Sequence, residues 1–370
     1  MAVTFLEPGG DSDFLVGTTN GFWNFLTASP PTIATDFVHG GHLKSIKYAP
    51  NVQQYLAPSV GTIADSGTRI SIYIYLNALP NATATFLDDS SNRWRVRITS
   101  AGVIQMWGNT AQIGTNGATL STGVWYRISL AYTITSTTVN RFELFVNGVS
   151  SISITNATLN ATGGNRPIIG NLDTNLTLDF RSSDHYIDNS SSLTDPGNIW
   201  VTAKRPVANG TTNGFSTQIG AGGSGYGTGH SPQVNERPLS TTNGWSMIGA
   251  GAAVTEEYNI EGKSVGDIDI SAATIVDWLG WVSIKSLAGE TTQVIINGAN
   301  VAQAITSTTT LYTKIKGSAT YPAGTGADIG VITDTSLTTV SLYECGVLVA
   351  YIPAAGVAAQ PFNFWQWFSF

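Results

Sequence analysis

Carboxylates at close spacing are the first place to look for chemistry, because cleavage of a glycosidic bond needs two of them flanking that bond. The densest acidic stretch is Glu256-Glu257-Tyr258-Asn259-Ile260-Glu261, followed by Asp267-Ile268-Asp269. On a strand Glu257 and Glu261 fall on one face. Charges of this kind are ordinarily solvated strand and turn residues, so no catalytic residue is expected. Metal ions need clustered donors. Asp88 and Asp89, where a strand runs into its loop, are the calcium candidates, with Asp184 and Asp188 the other acidic pair that could join such a site. His39 and His42 stand three apart with two glycines between them, and no Cys or His cluster supports them, so no metal is expected there. No cofactor is expected either. The glycine-rich run 220–229 lacks the Lys-Ser/Thr and the following helix of a phosphate loop.

Binding offers more than catalysis does. Arg93, Arg95 and Arg97 alternate with Trp94, Val96 and Ile98, which puts three guanidiniums on one strand face. Arginine pairs carboxylates in a bidentate fork, so this ladder suits an anionic glycan or an acidic partner surface. Its other use is as a solvated face with acidic neighbours. Trp107, Trp125 and Trp200 could offer flat stacking surfaces, with Trp125 expected in the core. The glycan or partner face is therefore placed at Arg93, Arg95, Arg97 and Trp107. A separate feature ends the chain: Phe362, Phe364, Trp365, Trp367, Phe368 and Phe370 put six aromatics in the last nine residues. Aromatic surface of that density has to dock, either on its own domain or on a neighbour.

The elements that position these residues centre on 122–149. In Val124-Trp-Tyr-Arg-Ile-Ser-Leu-Ala-Tyr132, Val124, Tyr126, Ile128, Leu130 and Tyr132 share one face, and Phe142, Leu144 and Val146 repeat the pattern before Asn147-Gly148. Period-two alternation closed by Asn-Gly predicts half-buried antiparallel strands and a tight hairpin. Ile70, Ile72, Ile74 and Leu76 predict another strand facing inward, with Arg69, Ser71, Tyr73 and Tyr75 outward. The cluster Ser190 to Gly197, ended by Pro-Gly, marks a boundary. A second series of strands follows, in which Val276, Trp278, Val282 and Ile284 share a face. The fold class expected is all-β: two antiparallel β-sandwich or jelly-roll domains at 36–197 and 198–353. They are flanked by an N-terminal arm or edge segment at 1–35 and the aromatic tail at 354–370.

Composition narrows the partners. Of 370 residues 42% are hydrophobic and only 11% charged, which suits turn-rich β proteins and surfaces buried in assemblies. Seventeen basic against twenty-four acidic residues, a net charge of −7, argue against nucleic acid. No apolar run is long enough to predict a membrane span, and no secretory signal is visible at Met1 to Pro8. The lone Cys345 excludes an intrachain disulfide and is expected as a small buried hydrophobe.

The paired "W-Y-R-I" and "L-F-V-N-G" strands at 125–128 and 144–148 resemble the central strands of laminin-G-like, concanavalin A-like jelly rolls. The Glu-x-Asp-x-x-Glu pattern of the hydrolases with that fold is absent, as is the legume-lectin metal pattern. Asn198 to Gly210 ("N-I-W-V-T-A-K-R-P-V-A-N-G"), Val234 to Pro238 and Leu342 to Val347 ("L-Y-E-C-G-V") resemble the second β domain of a family of tailed-bacteriophage structural proteins. That resemblance implies a non-enzymatic component of a phage virion, a capsid decoration, head fibre or tail accessory assembled in the host cytoplasm. The partners it implies are other virion proteins, further copies of the chain (a trimer) and host cell-surface glycans. A soluble carbohydrate-binding lectin or adhesin module is the alternative.

Overall fold

The computed structural model describes residues 2–7, 23–25, 29–58, 63–160, 166–220, 230–234, 243–248, 252–266, 268–286, 292–305, 311–316, 321, 327–333 and 339–355. It is all-β, built of antiparallel sheets, and the one helical element among the described residues is the short turn Ser231–Gln233. The six aromatics of the C-terminal tail lie outside the described residues.

Strands up to Asn189 make one pair of sheets. The first runs in the order Val149–Thr155, Asn140–Val146, Trp125–Ile134, Thr68–Ala78, Asp179–Asn189, Ser45–Tyr48, Thr32–Ala34, with Ala2–Glu7 also paired to Asp179–Asn189. The second runs Gln112–Ile113, Ile104–Trp107, Arg95–Ile98, Ala84–Asp89, Pro167–Asn171, Gln54–Pro58, Trp23–Phe25. Their facing sides carry the alternating apolar residues: Ile70, Ile72, Ile74, Ile128, Leu130 and Phe142 from one sheet, Trp94, Val96, Ile98 and Met106 from the other, all buried. Asn147 and Gly148 both take positive φ, 51° and 84°, as a tight hairpin between right-twisted strands requires. At the start of the chain Ala2–Glu7 is hydrogen-bonded into the sheet rather than free. Val124, expected inward, is 47% exposed because it precedes the strand that begins at Trp125.

Strands from Trp200 onward make a second pair. One sheet is ordered Thr217–Ile219, Gly244–Ile248, Thr339–Ile352, Thr274–Ser286, Leu311–Lys316, with Trp200–Lys204 also on Thr339–Ile352. The other is Pro206–Asn213, Thr255–Ile260, Asp328–Thr333, Thr292–Ile296, Ala299–Ile305. Alternation divides the residues of Thr339–Ile352 between two cores. Val347, Val349 and Tyr351 point into the second sandwich, whereas Leu348 and Ala350 join the apolar cluster of the first. Trp200 and Val201 split in the same way, as do Trp278 and Leu279. A register shift between Ile275 and Asp277 turns Val276 away from the face of Trp278, against the simple alternation expected.

The two sandwiches therefore share a seam. The "outward" face of Thr68–Ala78 is not solvated: Arg69, Ser71 and Tyr73 are all buried. Here Val201, Ala203, Leu279, Trp281, Leu348 and Ala350 pack into one continuous apolar cluster with the first sandwich. Arg127 locks the connection between them through Asp195, at 2.7 and 2.8 Å, and through the carbonyl of Gly197.

Candidate functional site

Two places bring chemically capable side chains together. The first is the outer face of the smaller sheet of the first sandwich. Trp107 pairs with Arg95 on one side and Gln112 on the other, and Gln105 pairs with Arg97, so these five residues share one face by register. Arg97 lies over the Trp107 ring, 4.6 Å from its centroid. The Trp107 indole N–H donates to Gln105 Oε1 at 3.0 Å, and Asn116 Oδ1 accepts from Gln105 at 2.9 Å and from Gln112 at 3.0 Å. The result is a half-buried indole ringed by planar amides and a guanidinium. Beside it Gly108, Asn109, Thr110, Ala111, Thr158 and Asn160 line a recess of about 400 Å³.

Arg93 does not belong to this face. It precedes the strand, is fully buried, and its guanidinium is held by Asp89 and by Asp65 at 2.8 Å. The basic ladder is thus two residues, not three. The carboxylates of Asp88 and Asp89 do not converge either. As consecutive strand residues they point to opposite faces, Asp88 to Arg95 at 3.1 Å and Asp89 to Arg93 and the amides of Ser91 and Arg93. Burial pushes Asp88 up to about 7, since Arg95 meets only one of its oxygens and Oδ1 has no partner among the described residues. Asp188 is likewise taken, by Arg69 at 2.5 Å and the Tyr186 hydroxyl at 2.7 Å.

The second place is the seam. Asp184 sits at a bulge between Ser183 and Tyr186 with φ +52°, a left-handed conformation that aims its carboxylate out of the strand line. The Nδ1 of His39 lies 2.6 Å from Asp184 Oδ2, and the Nε2 of His42 lies 2.9 Å from Oδ1. A turn closed by the His42 amide on the His39 carbonyl, at 3.1 Å, sets the two imidazoles side by side. Gly40 within it has φ +60°, and a Cβ there would stand 2.6 Å from the Trp200 ring. His39 stacks on Tyr73 at 3.8 Å and meets Trp200 edge-on and Trp125 at a tilt. Trp125 is accordingly half-buried beside this cluster rather than in the core.

All three residues are buried. Burial lowers the pKa of His39, against the pull of Asp184. Burial also works against the Asp184 charge, but the charge of His42 and the hydrogen bonds from both imidazoles hold that carboxyl well below the usual range. The cluster spans the molecule, because Asp184 Oδ1 also accepts the Val201 amide of the second sandwich at 2.6 Å. His39 and His42 were visible as a pair in the sequence. Their partner lies 145 and 142 residues away, which no local pattern signals.

In the second sandwich the acidic stretch is interior. Glu256 accepts from the Phe215 amide at 2.9 Å and from His230, at 2.7 Å, which stacks on Trp245 at 3.5 Å. Glu257 and Glu261 are buried as well, while Asp267 lies outside the described residues. Cys345 is fully buried in the core, where burial raises its thiol pKa, as fits a small apolar residue.

Residues 50–187 match the model of the concanavalin A-like lectin/glucanases superfamily, Laminin_G_3. The match lies wholly within the first sandwich. No curated protein matches the sequence. Among solved structures, the endo-β-1,4-glucuronan lyase of the fungus Trichoderma reesei is similar at 10% identity and a TM-score of 0.39, over 53% of this chain and 99% of that one. A sialidase of Trypanosoma rangeli is similar at 10% identity and a TM-score of 0.33, over 44% of this chain but only 28% of its own. Domain 4 of the Geobacillus stearothermophilus arabinanase AbnA, in complex with arabinotriose, has 15% identity and a TM-score of 0.30, over 52% and 97%.

Proposed function

We propose that this protein is a non-enzymatic binding and structural protein whose first sandwich engages carbohydrate through the Trp107 face. The observation that carries this reading is the half-buried Trp107 indole, pinned by Arg97 and Gln105 and flanked by Gln112 and Asn116. A pyranose ring presents an apolar face and a rim of hydroxyls. An indole plane takes the first, and amide and guanidinium groups take the second. The side chains are held by one another before any ligand arrives, which lowers the ordering cost of binding. A match to the lectin/glucanase superfamily over residues 50–187 agrees with this. The non-enzymatic part is supported by where the carboxylates go. Asp89, Asp184, Asp188 and Glu256 are all engaged in buried ion pairs or hydrogen bonds, and Asp88, whose Oδ1 is unpaired, is itself buried and held by Arg95 through Oδ2.

Glycan-array screening of the wild-type chain beside W107A tests the reading. Binding to a defined set of neutral or acidic glycans, lost in the variant, is expected. No glycan bound by the wild type, or equal binding by both proteins, would overturn it.

A virion location is the second part of the proposal. It is favoured by the resemblance of Asn198 to Gly210 and Leu342 to Val347 to a phage structural family. These segments include adjacent strands, Trp200–Lys204 paired to Thr339–Ile352, and so describe a fold more than a binding site. The partners would be capsid or tail proteins and further copies of the chain, a trimer, with host glycans on the exposed face. Light scattering of the full chain beside one ending at Pro353 checks this. A trimer that becomes a monomer on truncation is expected, and two monomers would contradict tail-mediated assembly.

A further inference from the structure

We propose that His39, His42 and Asp184 form the binding site of a single first-row transition-metal dication such as zinc, which ties the 39–42 turn to the 179–189 strand at the seam. The ligating atoms of the three residues all lie within 4.8 Å of one another. Two imidazole nitrogens and a carboxylate oxygen are the donors zinc takes, at about 2.0–2.2 Å, whereas calcium and magnesium call for oxygen alone. Around a tetrahedral ion the present pair distances of 2.6 and 2.9 Å would open to about 3.3 Å, a shift smaller than one side-chain rotation.

The shell around the ligands is also built. Ser183 Oγ donates to Asp184 Oδ2 at 3.1 Å, and the Val201 amide donates to Oδ1. Stacking on Tyr73 fixes the plane of His39. Outer hydrogen bonds of this kind orient metal ligands and raise their basicity. Asp184, a non-glycine residue, holds left-handed backbone, and conformations of that cost concentrate where a site is over-determined. A hydrogen-bonded cluster could form with less. The ion would tie the 39–42 turn and the 179–189 strand to one another and, through Val201, to the second sandwich. This inference is independent of carbohydrate binding.

Because the site is buried, metal must enter as the chain folds. The full chain is unfolded in denaturant with a chelator, then refolded with cobalt chloride, zinc chloride or no metal. The expected result is one cobalt retained per chain after desalting, with visible ligand-field absorption, and a melting temperature several degrees above the metal-free sample. D184N should lose the absorption, while H230Q, at a histidine of the second sandwich, should keep it. If wild-type protein refolded with cobalt shows no visible band, and zinc leaves its melting temperature unchanged, the cluster is hydrogen-bonded only and the proposal fails. The wild-type spectrum decides this even if D184N does not fold.

Discussion

The seam and the Trp107 face both set aromatic rings among hydrogen-bonding side chains and do opposite things with them. At the seam His39, Tyr73, Trp125 and Trp200 gather around one carboxylate and are closed over by the second sandwich. On the Trp107 face an aromatic ring, two arginines and three amides gather on the outer side of a sheet, where the ring and both arginines stay partly exposed. Polar groups at the seam are satisfied by fixed internal partners, so their loss leaves buried donors stranded. Those on the open face satisfy one another at the edge of water, where a ligand can replace the solvent. Aromatic clustering alone therefore does not identify a binding face. Coverage decides it.

The largest effect expected is at the seam. D184A leaves two imidazoles and the Val201 amide facing a void and should destabilise the chain by about 3–5 kcal/mol in chemical denaturation. A loss below about 1 kcal/mol would mean that the seam does not depend on this carboxylate. G40A comes next. Its Cβ would meet the Trp200 ring, and the backbone there is left-handed, so a loss of about 2 kcal/mol is expected by the same assay.

Asp88, buried beside Arg95 on the outer side of that sheet, gives a smaller effect. Its folded pKa, about 7, is above that of the unfolded chain, so the fold favours the protonated acid. Stability is fully present below the unfolded value and is lost as pH rises toward 7. D88N removes the cost of burying that charge. It should raise the melting temperature at pH 8, by a change worth about 1–3 kcal/mol, and make little difference near pH 4. A variant that is less stable at pH 8 would show instead that the ion pair with Arg95 outweighs burial. W107A should have the smallest effect on stability, about 1–2 kcal/mol, because it removes a half-buried ring, its hydrogen bond to Gln105 and one cation–π contact.

Much of the first sandwich was legible in the sequence. Ile70 to Leu76 and Phe142 to Val146 alternate with period two, and Asn147-Gly148 forms its hairpin as the residue types require. What alternation cannot say is what covers the other face. Arg69, Ser71 and Tyr73 read as outward-facing, yet a second sandwich buries them, because polar and aromatic side chains serve a well-paired interface as readily as a wet surface. The arginine ladder was legible only in part. Trp94 alternates correctly into the core, but Arg93 lies before the strand begins and turns inward to Asp65 and Asp89. Asp184 was singled out only beside Asp188, and its pairing with the histidines was out of reach for a different reason. Its role depends on a bulge and on histidines at the far end of the chain, and neither leaves a local signature.

The division between the two regions is tested most directly by calorimetric titration of one array-identified glycan into W107A and into the folded fraction of D184A. The account predicts that W107A, melting close to the wild type, binds at least about tenfold more weakly. D184A, though far less stable, should bind as the wild type does. W107A binding with wild-type affinity would contradict it.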